Sequence, residues 1–317
     1  MKALITGAAG FLGSALADRL LADGWTVRGV DSFTPYYDTE LKRENAQRLV
    51  RHPAFEMVET DLRVRDASGL AHDVEVVFPL AAQPGVRDSF AGGFALHDEH
   101  NVLATQRVLE GALAAGVRRV VYTSSSSIYG NTPAFPTSED EMPHPHSPYG
   151  VTKLAGEHLC GLYTANWDLD TVVLRLFTVY GPGQRPDMAL HKLIQAAVSG
   201  ERFNLFGNGE QVRDVTYVDD VVRALTSAAE GELPPASVVN VGGGAQASMN
   251  ELIGLVEDAT QQPVHLERLP AAAGDVDRTG ASVDRAKDLL GWAPEVDLAR
   301  GVEQQARWQV DRWRKVN

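Results

Sequence analysis

The chain has 317 residues, of which 44 % are hydrophobic and 22 % are charged, a composition that is ordinary for a globular protein. Its 29 basic and 42 acidic residues give a net charge of −13, which argues against nucleic acid as a partner because like charges repel a phosphate backbone. An anionic small molecule is still compatible with this charge, since a few local arginines can outweigh the field of the whole protein.

Cysteine content and apolar runs narrow the class of protein further. Cys160 is the single cysteine, so no internal disulfide and no Cys-cluster metal site can form, and we predict no metal cofactor. No apolar run approaches the roughly 18 residues that span a bilayer, and the opening residues MKALITGAAG lack the pattern of a signal peptide. We therefore expect a cytoplasmic protein without membrane contact.

Short apolar and β-branched runs alternate with amphipathic helical patterns through the first half of the chain. Strands are predicted at 2–6, 26–30, 55–58, 74–78, 118–122 and 171–175, and helices at 11–23, 96–115 and 149–166. Such alternation is typical of βαβ units with right-handed crossovers. The sequence therefore predicts an α/β fold with a Rossmann-type doubly wound parallel sheet.

The second half of the chain alternates less regularly. A turn-rich loop, GPGQRP at 181–186, precedes predicted helices at 188–198 and 217–230 and candidate strands at 203–206 and 238–241. The last of these strands is expected to return to the main sheet, and the remainder to be mostly helical, ending in the Trp-rich stretch 300–314. We predict two interleaved domains: 1–176 plus about 215–243 as the Rossmann domain, and about 177–214 plus 244–317 as a smaller, mostly helical substrate-binding lobe.

A glycine-rich loop, GAAGFLG, joins the first predicted strand to the first helix. Its glycines would allow a sharp turn and the close approach of a pyrophosphate, which the helix N-terminus would stabilise. Glycines also simply end strands, so the GxxGxxG spacing alone leaves both interpretations open. The loop residues that we predict to contact a cofactor are Gly7, Gly10, Phe11, Leu12 and Gly13.

Asp31, at the end of the second predicted strand, strengthens the case for a dinucleotide. A carboxylate at that position accepts hydrogen bonds from an adenosine ribose and repels a 2′-phosphate. The predicted cofactor is therefore NAD rather than NADP.

The ends of the next two strands supply further candidate cofactor contacts. Asp61 and Leu62 follow the third strand and could meet the adenine ring. The segment Leu80, Ala81 and Ala82 follows the fourth strand and offers small side chains beside a cofactor backbone. Small residues in a loop more often serve packing, so these assignments depend on the glycine loop.

Tyr149 and Lys153 form a YxxxK pattern near the start of a predicted helix, which places both side chains on one face. A nearby ammonium favours the phenolate and is expected to lower the tyrosine pKa from about 10 toward neutrality. An exposed helix pair is the alternative. The pattern nevertheless follows both a glycine loop and the hydroxyl-rich segment TSSSSIYG at 123–130, and this combination favours catalysis.

With these motifs the chain resembles the extended short-chain dehydrogenase/reductase family, in its NAD-dependent sugar epimerase/dehydratase branch. The resemblance extends over essentially the whole length and rests on GAAGFLG, DL at 61–62, LAAQ, TSSSSIYG, YGVTK and RDVTYVDD. It implies that Tyr149 is the acid/base, that Lys153 holds the nicotinamide ribose, and that the hydroxyl four residues before Tyr129, which is Ser125, assists. The cofactor residues are completed by Asn101 and Phe177.

The two residues after Ser125 separate the reactions of this branch. Sugar-nucleotide dehydratases that the chain resembles typically carry Asp-Glu there, and UDP-glucuronate decarboxylases usually carry a glutamate just before the hydrophobic residue of the xYG ending. This chain has Ser126 and Ser127, whose hydroxyls have no proton affinity suited to eliminating water. We therefore expect epimerisation.

Three further segments look like UDP-glucuronate 4-epimerases: YYD with LKR at 36–43, AAQPGVR at 81–87 and FTVYGPGQRPDMA at 177–189. Many UDP-glucose 4-epimerases have asparagine where this chain has Thr178. Arg185 could bind a C6 carboxylate through two charge-assisted bonds, together with Thr178 and the serines, although a phosphate contact or a surface position are alternatives. The predicted substrate residues are Arg87, Ser126, Ser127, Tyr149, Thr178, Arg185, Met188, Phe206, Arg213 and Asp275.

One departure from the related enzymes concerns the diphosphate. They often carry an arginine shortly before a GD pair, whereas AAAGD at 271–275 supplies none. The resemblance then leaves Arg213 to carry most of the diphosphate charge and Asp275 to meet the uridine ribose.

The sequence thus predicts NAD-dependent C4 epimerisation of a UDP-sugar, with UDP-glucuronate to UDP-galacturonate favoured, through a 4-keto intermediate. A UDP-glucose 4-epimerase, a UDP-glucuronate decarboxylase and a non-enzymatic NAD-binding sensor are the alternatives. A sensor has no need to keep Ser125, Tyr149 and Lys153 together.

The resemblance also implies a homodimer. Helices 96–115 and 149–166 are expected to pair with their copies in a four-helix interface. Candidates for its apolar surface are Leu103, Leu159 and Leu162.

Overall fold

The computed structural model describes residues 1–64, 67–270 and 278–316. The strands are β1 (Lys2–Thr6), β2 (Thr26–Asp31), β3 (Phe55–Glu59), β4 (Val76–Pro79), β5 (Arg119–Ser125), β6 (Thr171–Leu176), β7 (Thr178–Tyr180), β8 (Arg202–Phe206), β9 (Val212–Tyr217), β10 (Ser237–Val241), β11 (Ala245–Ser248) and β12 (His265–Leu269). The helices are α1 (Phe11–Ala22), α2 (Thr39–Leu49), α3 (Ser68–Ala71), α4 (Phe94–Asp98), α5 (Ala104–Ala114), α6 (Pro148–Trp167), α7 (Ala189–Ser199), α8 (Val218–Glu230), α9 (Met249–Thr260), α10 (Asp284–Leu290) and α11 (Leu298–Val316).

Seven of these strands form a parallel sheet in the order β10-β6-β5-β4-β1-β2-β3. The order reverses at β1, which pairs with β2 on one side and with β4 on the other. This is the doubly wound topology of a Rossmann fold, in which a crevice opens at the carboxyl ends of the strands where the order reverses. The predicted fold class is confirmed, and the strand predicted at 238–241 joins the main sheet as β10.

Both faces of the central sheet are buried by helices. In β5, Val121 belongs to one apolar cluster, whereas its neighbours Val120 and Tyr122 belong to another on the opposite face. Alternate residues of a strand point to opposite faces, so a strand covered on both sides is apolar throughout. This explains why the runs in the sequence are continuous rather than alternating.

The predicted helix 96–115 is divided in the structure. Helix α4 ends at Asp98, a wider π-helical turn covers Glu99–Leu103, and α5 begins at Ala104. Widened turns of this kind re-aim side chains within a helix. Here the turn contains Asn101, whose side chain is fully buried.

Helix α6 follows the prediction closely. Ser147 caps its N-terminus by accepting a hydrogen bond from the Gly150 amide, and Pro148 occupies the first turn, where its missing N–H has no cost. The helix ends at Asp168, which adopts a left-handed conformation with φ 55°. The start of α6 is thereby fixed beside the carboxyl end of β5.

Two smaller sheets lie outside the main one. One has the order β11-β9-β7, and the other pairs β12 with β8. Four of these strands, β7, β9, β11 and β12, were not predicted, because a strand of three to six residues pairs with partners that are distant in sequence. Helices α7, α9, α10 and α11 accompany them, as the mostly helical prediction required.

A buried carboxylate joins three separate stretches of the chain. Asp214 on β9 accepts hydrogen bonds from the amide of Gly243 at 2.8 Å and from the amide of Ala281 at 2.8 Å. Burial raises the pKa of this carboxyl to about 6, although the two amides oppose the shift.

The boundaries of the two interleaved domains stay a prediction.

Helices that could cross a lipid bilayer are absent from the described ranges: none is both long enough and apolar enough.

Candidate active site

The glycine loop packs so tightly that side chains are excluded. Gly7 has φ +70°, and a Cβ at Gly13 would lie 2.1 Å from the carbonyl oxygen of Gly7. The first turn of α1 can therefore approach β1 closely, which leaves its N-terminal amides at the carboxyl edge of the sheet. This is a cradle for an anionic group such as a pyrophosphate.

Asp31 ties this loop to β2. Its buried carboxylate accepts hydrogen bonds from the amides of Ala9, at 3.1 Å, and of Phe33, at 2.8 Å. Each carboxylate oxygen can accept a further bond. Asp31 faces the cavity described next, so it combines a structural contact with capacity for a ligand.

A cavity of about 1190 Å³ runs along the carboxyl edge of the sheet and continues toward β8 and β9. Its volume exceeds the 300–1,000 Å³ that is typical for one drug-sized ligand. The structure brings almost all the predicted site residues to its wall. These are Gly7, Gly10, Phe11, Leu12, Gly13, Asp31, Asp61, Leu62, Leu80, Ala81, Ala82, Arg87, Ser125, Ser126, Ser127, Tyr149, Lys153, Phe177, Thr178, Arg185, Met188, Phe206 and Arg213.

One predicted residue, Asn101, is described but is not part of this wall, and another, Asp275, is not described. Asn101 does not line the cavity: its side-chain oxygen accepts from the Gln83 amide at 2.7 Å, and its amide donates to Gln83 and to Thr152. It holds the loop after β4 against α6, so it supports the site from behind. Asp275 lies outside the described residues.

The three predicted catalytic residues lie on two adjoining elements. Ser125 is the last residue of β5, and Tyr149 and Lys153 lie one turn apart on α6. The Ser125 hydroxyl lies beside Tyr149, whose pKa it acts to lower, and it donates to the Ser127 hydroxyl at 3.2 Å. The Ser127 amide donates to Ser125 at 3.1 Å, which fixes the hydroxyl cluster. A tyrosine, a hydroxyl and an ammonium are thus brought together at one point of the cavity.

The pKa values of this set are dominated by burial. Burial raises the pKa of the half-buried Tyr149 above its ordinary value, and the opposing effects of Arg185 and the Ser125 hydrogen bond are smaller. Burial lowers the pKa of Lys153 to about 8, with Glu157 opposing the shift. The expected fall of the tyrosine pKa toward neutrality is therefore not present in the protein alone, because desolvation of the phenolate outweighs the neighbouring positive charges.

Arg185 is already paired with a carboxylate that the sequence did not single out. Its Nε donates to Asp187 Oδ1 at 3.0 Å, and its Nη2 donates to Asp187 Oδ2 at 3.0 Å. The Met188 sulfur lies 3.4 Å from the same Nη2. Part of the guanidinium fork is therefore occupied, and both members of the pair line the cavity.

A second acidic residue of the cavity wall was also missed. Asp88 accepts a hydrogen bond from the Tyr36 hydroxyl at 2.7 Å, which joins the loop after β2 to the loop after β4. Next to Asp88, the guanidinium of Arg87 stacks over the Phe206 ring at 4.5 Å. Arg213 donates to the Val212 carbonyl at 3.0 Å. Sequence reasoning missed Asp88 and Asp187 because most acidic residues in loops are simply solvated.

Clusters of three or more His, Cys, Asp or Glu that could hold a metal ion were sought in 1–64, 67–270 and 278–316, and none occurs there.

Residues 3–242 match the NAD dependent epimerase/dehydratase family. The chain belongs to this family, and the resemblance predicted from its motifs is confirmed.

Particular relatives narrow the comparison. The chain is 35 % identical to a probable UDP-glucuronate 4-epimerase of Rhizobium meliloti, with 100 % of this chain and 99 % of the relative covered. It is 39 % identical to a UDP-glucose 4-epimerase of Mycolicibacterium smegmatis, with 95 % and 96 % covered.

A solved structure is similarly close. The UDP-glucuronic acid 4-epimerase of Bacillus cereus, in complex with UDP-glucuronic acid and NAD, superposes with a TM-score of 0.95. It is 39 % identical in sequence, and the match covers 98 % of this chain and 99 % of that one.

Proposed function

We propose that the protein catalyses the NAD-dependent C4 epimerisation of a UDP-sugar, with UDP-glucuronate and UDP-galacturonate as its substrate and product. The observation that carries this proposal is one cavity that holds the Ser125, Tyr149 and Lys153 set together with the glycine cradle and a guanidinium. The comparisons support the same reaction class, since a structural neighbour binds both UDP-glucuronic acid and NAD.

The residues present fit NAD on structural grounds. Side chains at Gly7 and Gly13 would fill the space between α1 and the strand ends, so the loop leaves room only if both are glycine. We propose that Asp31 binds the adenosine ribose and that Lys153 binds the nicotinamide ribose. When bound, NAD supplies a hydride acceptor for C4 and adds positive charge near Tyr149.

The chain's own residues would move the proton. Tyr149, as phenolate, would take the proton of the C4 hydroxyl, and Ser125 would hold that hydroxyl by a hydrogen bond. Lys153 favours the phenolate by its positive charge and orients the cofactor. The 4-keto sugar then turns within the cavity, so that its other face is presented when C4 is reduced again.

With a hexuronate the enzyme must also prevent decarboxylation, because the 4-keto form of the sugar is a β-keto acid. Such an acid loses CO₂ when its carboxylate lies perpendicular to the ketone plane. Ser126, Ser127, Thr178 and Arg185 all line the cavity and would hold the carboxylate away from that orientation. The serine run at the end of β5 would therefore serve both proton transfer and carboxylate binding.

A UDP-glucose 4-epimerase is the second candidate, and one observation favours it. Asp187 neutralises part of the charge of Arg185, and its carboxylate is an acceptor that suits a C6 hydroxyl better than a C6 carboxylate. A decarboxylase is less well supported, since Ser127 stands where those enzymes carry glutamate. Incubating the purified protein with UDP-glucuronate and UDP-glucose separately, and resolving the products, decides between these candidates.

The cellular compartment and the oligomeric state complete the proposal. We place the protein in the cytoplasm, where a buried free thiol such as Cys160 stays reduced. We propose a homodimer through α4, α5 and α6, because these helices and the π-helical turn between α4 and α5 leave Leu103, Val151 and Leu162 between 38 % and 49 % exposed. Leu159 packs at the edge of the underlying core.

Tyr149→Phe is expected to lower turnover by about 10²–10⁴-fold while leaving UDP-sugar affinity largely intact, because only the proton relay is removed. Steady-state kinetics and calorimetric binding of the UDP-sugar provide the measurement. Wild-type turnover in this variant would rule out Tyr149 as the acid/base.

Arg185→Ala and Thr178→Ala are expected to weaken UDP-glucuronate selectively and to release some UDP-pentose, because the carboxylate is then less restrained. The loss of one charge-assisted hydrogen bond to the carboxylate should raise the KM for UDP-glucuronate by roughly 10- to 100-fold. The exposed Arg307→Ala is the matched control. If both variants handle UDP-glucuronate like wild type, the hexuronate proposal fails and the neutral-sugar epimerase takes its place.

Asp31→Ala is expected to weaken NAD and to relax the exclusion of NADP, because the ribose acceptor and its negative charge are both lost. We expect the ratio of NAD affinity to NADP affinity to fall by roughly 10-fold or more, which is the effect of losing one hydrogen bond to a charged group. Asp23→Ala, an exposed carboxylate at the end of α1, is the control. Unchanged cofactor preference would count against the assignment of Asp31.

Leu162→Glu is expected to convert a dimer into a monomer, because a charge at the centre of an apolar interface is desolvated without a partner. Light scattering at micromolar concentration measures the molar mass. Met142→Glu, which changes an apolar residue that is 73 % exposed elsewhere, should stay dimeric. A wild-type protein that is monomeric in this measurement contradicts the proposed interface.

A further inference from the structure

Glu157 continues the face of α6 that carries the catalytic residues. Tyr149, Lys153 and Glu157 are spaced four residues apart, so they lie in successive turns along one side of the helix. The Glu157 side chain is only 7 % exposed, and Lys153 is buried beside it. A buried carboxylate next to a buried ammonium needs an explanation, because each is costly to desolvate.

The carboxylate of Glu157 is held from two neighbouring strands. From β6, Arg175 donates through Nη2 to Oε2 at 2.8 Å and through Nε to Oε1 at 3.1 Å. From β5, the hydroxyl of Ser124 donates to Oε1. Ser124 directly precedes Ser125, the catalytic hydroxyl of the proposed function.

Arg175 is itself fixed by further buried partners. Its Nη1 donates to the Tyr129 hydroxyl at 2.8 Å and to the Glu139 carbonyl at 3.2 Å. The Tyr129 hydroxyl in turn donates to Asn240 on β10 at 2.8 Å. Glu157 is therefore anchored to three strands of the sheet and cannot shift without breaking several bonds.

We infer that Glu157 is a positioning residue for the catalytic set, a role that rests on the proposed function. It joins the strand end that carries Ser125 to the helix that carries Tyr149 and Lys153. Its negative charge also balances the Lys153 ammonium, and Arg175 limits how much of that charge Lys153 experiences.

The charged and titratable groups around Lys153 make this balance testable. On α6 it faces Glu157 and the thiol of Cys160, whose pKa is raised by burial to about 12, so that the thiol stays neutral. On β5 the ammonium lies 4.9 Å from the centroid of the Tyr122 ring. Arg175 stands behind Glu157 on β6.

Tyr149 completes the set of titratable groups on the catalytic face. The centroid of its ring lies 6.2 Å from that of the buried His97 on α4.

Removing the charge of Glu157 or the charge of Arg175 should move the pKa of Lys153, and the direction of each change can be stated in advance.

Whether the pKa of Lys153 rises or falls in each variant follows from the sign of the charge that is removed. Burial sets the pKa of Lys153 at about 8, and Glu157 keeps it from falling lower. Glu157→Gln removes that support, so the ammonium is lost at lower pH. Arg175→Gln leaves the Glu157 charge uncompensated, so the ammonium persists to higher pH. An opposite charge within about 4–6 Å typically shifts a pKa by about one unit or more.

The experiment measures the alkaline limb of the kcat–pH profile for both variants. We expect the limb to move down by about one pH unit in Glu157→Gln and up in Arg175→Gln. A limb that stays in place in both variants, or moves the same way in both, overturns the role of the charge. The position of the limb does not depend on how much of each preparation is active.

Two further variants keep the proposal testable if a single variant fails to fold. The double variant Glu157→Gln with Arg175→Gln removes both members of the ion pair, so neither is left buried without the other, and its limb should lie between those of the single variants. Ser124→Ala keeps both charges and removes only the tie to β5. We expect it to lower kcat by up to about 100-fold, with KM and the alkaline limb unchanged. An unchanged kcat in Ser124→Ala overturns the positioning role.

A second buried ion pair, at the opposite end of β5 and next to the start of β6, separates structure from mechanism. Arg119, at the start of β5, bonds to Asp170 at 2.7 Å, and its side chain is 6 % exposed. Arg119→Gln should lower stability without moving the alkaline limb. A shift in this control equal to that in Glu157→Gln refutes the specific coupling to Lys153.

The proposed function can fail independently of this inference. Absence of wild-type turnover on both UDP-sugars rejects the proposed function alone. The pH dependence of NAD affinity then serves as the readout, since the Lys153 ammonium would contact the cofactor. The same opposite shifts are expected there without any sugar, and their absence overturns the inference.

Discussion

The reversal of strand order at β1 is the constraint on which the rest of the structure depends. Strands on one side of β1 are reached by crossovers in one direction, and those on the other side by crossovers in the opposite direction, so the loops after β1 and β4 diverge. The crevice between them receives the glycine loop, the end of β2 and the end of β5. Every group that the proposed chemistry uses reaches the cavity from a strand end or from the helix that follows one.

Much of this arrangement could be predicted from the sequence because its signals are local. The central strands are continuous apolar runs, the glycine loop must turn sharply, and Tyr149 and Lys153 face the same way on any helix. The strands β7, β9 and β11 could not be predicted, because their pairing joins residues that lie far apart in the chain. The true contacts of Asn101 and the pairing of Arg185 with Asp187 depend in the same way on tertiary packing.

Charged groups around the cavity are arranged so that few of them act alone. Arg185 is shared with Asp187, Glu157 with Arg175, and Tyr36 with Asp88. Such pairing lowers the cost of burial, but it also weakens the field that any one charge exerts on a ligand. Burial dominates the pKa values of Tyr149 and Lys153, so in the protein without its cofactor the pKa of the tyrosine is raised, where spacing alone predicted a fall.

The bonds that Asp214 accepts from the amides of Gly243 and Ala281 have a consequence for how the protein is made. The amides of Gly243 and Ala281 are synthesised after the carboxylate that they satisfy, and Ala281 lies 67 residues after Asp214. Until that segment has left the ribosome, β9 carries a carboxylate that cannot be buried without strong desolvation. Contacts of such sequence separation slow folding, so burial of the Asp214 carboxylate must wait until the segment around Ala281 is available.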